Sequence, residues 1–150
     1  MSADILIVDD ETDIRELVAG ILEDEGHRTR TAGSADDALA AIEARRPHLV
    51  FLDIWLQGSR LDGLQVLEQV KEQHADLPIV MISGHGNIET AVSAIRLGAY
   101  DFIEKPFNNA DLRRSISRAS ELAIAKFEAK RRQDEARFAL EGLTKREREV

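Results

Sequence analysis

Ile5-Leu6-Ile7-Val8-Asp9-Asp10, residues 5–10, is the stretch that decides the fold: four apolar residues, then two carboxylates. Two later stretches repeat this layout. Leu49-Val50-Phe51-Leu52 stops at Asp53, and Tyr100-Asp101-Phe102-Ile103 stops just before Lys105-Pro106. Short apolar runs cut off by charge read as buried strands of a parallel sheet. In open α/β sheets, ligands bind outside the carboxyl ends of the strands, at the switch point. If the three strands are neighbours, Asp9, Asp10 and Asp53 converge with the ammonium of Lys105 in one crevice. Three carboxylates so close repel one another and call for a cation. Oxygen donors without Cys or paired His favour Mg²⁺ or Mn²⁺. A lysine beside them can hold an anion. The crevice therefore reads as built to place a phosphoryl group on Asp53.

The segments between the runs carry helical periodicity. Glu11-Thr12-Asp13 is an acidic helix start, Ile14, Leu17, Val18, Ile21 and Leu22 recur at helical spacing, and Gly26 is placed to end the helix. Residues 28–32 suit a short, half-exposed second strand. Ser34 suits a cap with Asp37 completing a capping box. Ala38, Leu39 and Ile42 give that helix its inner face, and Pro47 lies past its end. After strand 48–53, residues 54–63 form a loop with two glycines. Leu64, Leu67 and Val70 define the third helix, and 77–82 the fourth strand. Ser83-Gly84-His85-Gly86 is a turn, with Asn87 as cap and Ile88, Ala91, Val92 and Ile95 expected to face inward. Strand five spans 99–103, and Asn108 or Asn109 caps the last helix. Five βα units without sequence repeat predict a flavodoxin-like α/β fold. It is a doubly wound five-stranded parallel sheet in order 2-1-3-4-5 with five helices, the last extended.

At 150 residues the chain has room for one domain with a short appendage. It has no cysteine, so disulfides and thiolate-metal sites are excluded. No apolar stretch approaches the roughly 20 residues of a membrane span. Met1-Ser2-Ala3-Asp4 lacks the layout of a signal peptide, so the expected location is cytoplasmic. The net charge of −8 divides unevenly: residues 1–107 carry −11 and residues 108–150 carry +3. The body of the chain should not bind nucleic acid by itself; DNA contact would need the tail or something beyond it.

From about residue 110 to 140 there is no Gly or Pro, and Ala, Glu, Lys and Arg abound. Glu128 and Arg132 suit an i,i+4 pair. Leu122, Ala125, Ala129, Ala136 and Leu140 mark a thin apolar stripe. Two readings remain open for it: a solvated helical extension, or a linker helix that pairs with a second copy. The expected organisation is a phosphoacceptor domain over 1–120, a helical linker over 121–142, and the start of an output domain, DNA-binding in type, over 143–150.

Val8-Asp9-Asp10-Glu11, Leu52-Asp53, Asp62-Gly63, Ser83-Gly84 and Lys105-Pro106-Phe107 follow in that order, each at its own strand end. Over residues 3–120 this layout resembles the receiver domain of two-component response regulators. The resemblance implies that Asp53 takes a phosphoryl group from the phosphohistidine of a sensor histidine kinase. It implies that Asp10, Asp53 and the backbone carbonyl of Trp55 hold Mg²⁺ (or Mn²⁺), with Asp9 acting through water. Lys105 would neutralise a phosphoryl oxygen, with Pro106 after a cis bond aiming it. Ser83 would hydrogen-bond the phosphoryl group, and Phe102 would be the switch aromatic that moves with it. Trp55 and His85 would set the phosphoryl lifetime, bulky Trp55 by shielding the acyl phosphate from water. Such a domain catalyses only its own phosphorylation and dephosphorylation. It acts by switching the face of helix four, strand five and helix five, which implies a homodimer and a transcriptional output. Two departures stand out. The loop after Asp53 is two residues longer than the common pattern, and Gln57 stands where many receivers have proline.

The tail gives two conflicting cues. Leu143-Thr144-Lys145-Arg146-Glu147-Arg148-Glu149-Val150 resembles the opening of a LuxR/FixJ-type helix-turn-helix domain, with Thr144 and Glu147 as a capping box. Residues 52–63 and 83–92 instead are similar to a nitrogen and redox regulator branch of the family. There the receiver precedes an AAA+ ATPase. The LuxR-type output is the favoured expectation.

Two other classes compete. A haloacid-dehalogenase-like phosphatase with Asp53 as nucleophile wants a carboxylate two residues on as general acid, where this chain has Trp55. A flavodoxin-like cofactor binder wants a Ser/Thr/Gly-rich loop after strand one, where Asp9-Asp10-Glu11 would repel a flavin phosphate.

Overall fold

The computed structural model describes the backbone of residues 3–58, 60–84, 88–105 and 109–149, with side chains through Arg137 apart from that of Asn109. In chain order the elements are β1 (Asp4–Val8), α1 (Thr12–Asp24), β2 (Arg28–Ala32), α2 (Ala35–Ala44), β3 (Leu49–Asp53), α3 (Gly63–Gln73), β4 (Ile79–Ser83), α4 (Ile88–Arg96), β5 (Asp101–Glu104) and α5 (Asn109–Glu149). All strand pairs are parallel and the order is β2-β1-β3-β4-β5, as the alternation of strands and helices predicts.

Side chains alternate across the sheet, and each set meets its own helices. Leu6, Val8, Val50, Leu52, Ile79 and Met81 pack under α2, α3 and α4 through Ala38, Ile42, Val66, Leu67, Val70 and Ala94. Ile5, Ile7, Leu49, Phe51, Val80 and Ile82 pack under α1 and α5 through Val18, Leu22, Leu112 and Ile116. β1, β3 and β4 are buried along their whole length, which is why they read as unbroken apolar runs. Burying each large aliphatic or aromatic side chain here contributes roughly 1.5–3 kcal/mol.

Local chemistry sets the helix ends. Gly26 stops α1 with φ +90°, a conformation that suits glycine alone. Ser34 Oγ accepts from Asp37 N at 3.2 Å, but only that half of the expected capping box forms. The complete box is at α3, where Asp62 Oδ1 accepts from Gln65 N and Gln65 Oε1 accepts from Asp62 N, both at 2.9 Å. The caps expected at Asn87 and Asn108 lie outside the described residues.

Three expectations need correction. Ile88, Val92 and Ile95 do not face inward: they are 83%, 42% and 50% exposed, and Ala94 is the buried residue of α4. Helical periodicity places these apolar residues on one face without saying which way that face turns. In α5 the inward face is Leu112, Ile116, Ala119, Ser120 and Ala123, while Ala125, Ala129 and Ala136 of the thin stripe are exposed, which both readings of that stripe allow. Among the described residues the ion pair of the extension is Arg131 with Glu135 at 3.4 Å, not Glu128 with Arg132. The backbone of α5 is also helical without a break from Asn109 to Glu149. Thr144 therefore lies inside a helix rather than at its start, while the run of α5 past residue 120 is the extension that was expected. No helix among the described residues is long and apolar enough to cross a membrane.

Candidate functional site

Registry brings the expected residues together. Val8 pairs with Leu52, so Asp9 emerges from β1 beside Asp53 at the end of β3. Ser83 ends β4 opposite Glu104, and its carbonyl accepts from Lys105 N at 2.7 Å. The crevice therefore opens at the carboxyl ends of β1, β3, β4 and β5. Asp9, Asp10 and Asp53 each offer an oxygen within 4.8 Å of the others. Asp9, Asp53 and Ser83 are buried, and Asp10 is half-buried.

Lys105 holds the cluster together. Its Nζ lies 2.9 Å from Asp9 Oδ2, 3.4 Å from Glu11 Oε1 and 3.5 Å from Asp53 Oδ2. Burial alone would lower its pKa, but Asp9, Asp53 and Glu11 outweigh that and hold the ammonium above its usual range. The carboxylates are short of positive charge all the same. Burial, then the charge of Asp9, pushes Asp53 up to about 7 against the opposing pull of Lys105. Burial likewise raises Asp9, with Lys105 opposing. Despite the nearby ammonium, Asp9 Oδ2 has no aligned hydrogen-bond donor among the described residues. A buried carboxylate oxygen left this way, in a set of three hard oxygen donors, fits a dication of the Mg²⁺ or Mn²⁺ type.

The β1–α1 turn is braced from several sides. Asp9 Oδ1 accepts from Glu11 N at 2.8 Å. Arg15 donates to the Asp9 carbonyl at 2.6 Å and to Thr12 Oγ1 at 3.0 Å. The longer loop after Asp53 reaches back: Gln57 N donates to Asp10 Oδ2 at 3.2 Å, and Trp55 N to Asp53 Oδ1 at 3.3 Å. Arg60 ties the far side of that loop to Asp36 of α2 at 3.0 Å. Gly63 sits so close under β3 that a methyl group there would strike the carbonyl oxygen of Asp53 and lie 2.6 Å from Ile54 Cα. The Asp62-Gly63 dipeptide is thus a cap plus the one residue small enough to follow it.

Of the residues singled out from sequence, Asp9, Asp10, Asp53, Ser83 and Lys105 meet in the crevice. The Trp55 side chain is 48% exposed at its edge. Phe102 is half-buried against the layer under α2, α3 and α4. His85, Pro106 and Phe107 lie outside the described residues. Glu11, Arg15, Gln57 and Gly63 were not predicted as site residues. Glu11 lies in the acidic run after β1, where its place in the motif and at a helix start gives it no role of its own. Gln57 acts through its backbone, which side-chain identity does not report.

A family model for the response regulator receiver domain matches residues 5–117. The chain is 73% identical over 108 residues to the nitrogen assimilation regulatory protein NtrX of Azorhizobium caulinodans, covering 72% of this chain and 24% of that one. The crystal structure of the receiver domain of NtrX from Brucella abortus superposes with a TM-score of 0.75 at 73% identity, over 79% of this chain and 98% of that one. The solution structure of the beryllofluoride-activated NtrC4 receiver domain dimer gives 0.74 at 36% identity, over 80% and 98%. The chain spans about a quarter of the length of the curated relatives it matches.

Proposed function

We propose the function of this chain from one premise: it belongs to the response regulator receiver family. Asp53 is the phosphoacceptor. One of its carboxylate oxygens attacks the phosphorus of a phosphohistidine on a sensor histidine kinase; the O–P bond forms, the N–P bond breaks, and the imidazole leaves. The observation that carries this reading is the meeting of Asp9, Asp10, Asp53 and Lys105 at the carboxyl ends of β1, β3 and β5 in a chain of this family.

Asp9, Asp10 and Asp53, with the Trp55 carbonyl, would hold Mg²⁺ or Mn²⁺. A bound dication offsets the repulsion between acceptor carboxylate and phosphoryl group. Lys105 takes up charge on a phosphoryl oxygen, and the Ser83 hydroxyl hydrogen-bonds another. Phe102 repacks with Ser83, and Trp55 and His85 control access of water to the acyl phosphate. Incubation with Mg²⁺ and acetyl phosphate should add one phosphoryl group by intact mass. Prior EDTA, or Asp53→Asn, should prevent it. Addition in the Asp53→Asn protein equal to the parent's would remove Asp53 from the role.

The likeness to NtrX supports an organisation with the receiver over 1–120 and a linker from 121. Beyond lies the output of an NtrX-like regulator, an AAA+ ATPase with a DNA-binding end, in place of the LuxR-type output that the tail motif suggested. Transcriptional control belongs to that longer protein.

The outward-facing Ile88, Val92, Ile95 and Tyr100 support self-association when Asp53 is phosphorylated, consistent with a relative whose activated receiver is a dimer. Sedimentation should show a heavier species with a beryllofluoride mimic, and Val92→Asp should prevent it. Equal mass with and without the mimic would end this reading.

A further inference from the structure

The receiver family match ends at residue 117, yet α5 keeps touching the domain for ten residues more. Ala119, Ser120 and Ala123 are buried, and Leu122, Ile124 and Phe127 are half-buried. From Glu128 to Arg137 every residue is exposed. Phe127 is thus the last half-buried side chain of the described helix, with exposed Lys130 beyond it reaching only the rim of a small cavity that Phe127 also lines. Its ring stands edge-on to His48, with centroids 4.6 Å apart and planes at 75°. Such aromatic pairs are worth about 0.5–1.5 kcal/mol beyond the area they bury.

The seat under Phe127 is built rigidly. His48 sits on the turn before β3, and its ring Nδ1 accepts from Asp4 N at 2.8 Å while its backbone N–H donates to the Asp4 carbonyl at 2.8 Å. The Asp4 carboxylate is buried and clamped by Arg30 at 3.1 Å and Arg45 at 2.8 Å. Arg30 donates further to the carbonyls of Ala41 and Arg45, each at 2.8 Å. The seat therefore ties together β1, β2, the end of α2 and the entry to β3. Arg46, Asp76, Pro78 and Lys126 close its rim around a cavity of about 20 Å³, room for a single water. An imidazole whose Nδ1 must accept has to stay neutral there. Burial does push His48 below the usual histidine range, against the opposing pull of Asp4.

This seat lies at the pole opposite the phosphorylation crevice. β1 runs from Asp4 at the seat to Asp9 in the crevice, and β3 from just past His48 to Asp53. We propose that His48 and Phe127 form a latch, the interaction surface by which the receiver holds the helix leaving it and fixes that helix's direction. The partner of this surface is the chain's own segment from about 118 to 127. Phe127 is the knob, and His48 is the face it needs.

The chain's lack of cysteine allows a clean test. Spin labels on Glu43→Cys and Asp134→Cys, both at exposed positions, report the distance from α2 to the helix beyond the latch. The parent should give one narrow distance distribution. Phe127→Ala should widen it at least twofold, with Asp53 still accepting phosphate by intact mass. His48→Asn keeps an acceptor for Asp4 N–H and removes the ring face; it should widen the distribution to a similar degree. The double variant should be no wider than either single one. A narrow distribution in either variant would overturn the latch. Retained phosphorylation in the widened variants keeps this result separate from the assignment of Asp53.

Discussion

Gly63→Ala should cost the domain about 3 kcal/mol or more, at the upper end of what overpacking costs. Most Gly→Ala changes near a helix start are mild or even stabilising, because alanine favours the helix. Here the added methyl meets backbone on two sides, the Asp53 carbonyl and Ile54 Cα. Backbone cannot rotate away as a side chain can. Gly63 N also donates to the Ile54 carbonyl at 2.7 Å, so retreat of α3 would break that bond. The strain falls on the residue that carries the acceptor carboxylate. A urea melt should show the stability loss, and acetyl phosphate labelling of the surviving folded fraction should be slowed. A Gly63→Ala protein as stable as its parent would show that the α3 start is far more compliant than its packing implies.

Asp53→Asn should move stability the other way. In the metal-free protein the Asp53 carboxyl titrates at about 7, against 3.8 for an ordinary one. Between those values the folded chain holds a proton that the unfolded chain has released. Stability therefore falls as pH climbs from about 4 to 7, and the deficit persists above. The whole shift corresponds to roughly 4 kcal/mol. Asp9 and Lys105 share the titration, so a net gain of about 2 kcal/mol for the asparagine variant is the expectation at pH 8 in EDTA. At pH 5 the gain should shrink to a fraction of that. Saturating Mg²⁺ should reverse the ranking, because only the parent keeps all three carboxylates for the cation. Paired melts at pH 5 and 8, with EDTA and with Mg²⁺, check each sign. An asparagine variant less stable than the parent at pH 8 without metal would mean that the carboxylate is well compensated after all.

The two predictions differ in how readable their causes were. Asp53 was visible because charge at the end of an apolar strand is a pattern in sequence order. Asp9, Asp10 and Lys105 were visible for the same reason, and parallel topology then had to bring them together. Gly63 was visible as a loop glycine and as part of the Asp62-Gly63 motif, but not as a contact. Its contact with Asp53 depends on how tightly α3 tucks under β3, which no local pattern carries. Ile88, Val92 and Ile95 show the limit of periodicity. A helix face meant for a core and one meant for another surface have the same spacing, and only the rest of the fold decides between them. The alanine stripe of α5 is a separate, exposed face and does not reveal the face that packs on the body. That inner face mixes Leu112, Ile116 and Ala123 with polar Ser120, and it ends at Phe127. The partner of that phenylalanine, His48, is distant in sequence and offers no spacing signal.

The unbroken course of α5 makes what lies past Phe127 a matter of rotational phase. Each residue of helix turns its successor by about 100° and advances it about 1.5 Å. With the near end held against the body, one residue inserted after Phe127 would swing every later side chain more than a quarter-turn about the axis. Seven inserted residues would bring them almost back into alignment, displaced by about 10 Å along it. The length of this helix is therefore an angular setting as well as a spacer.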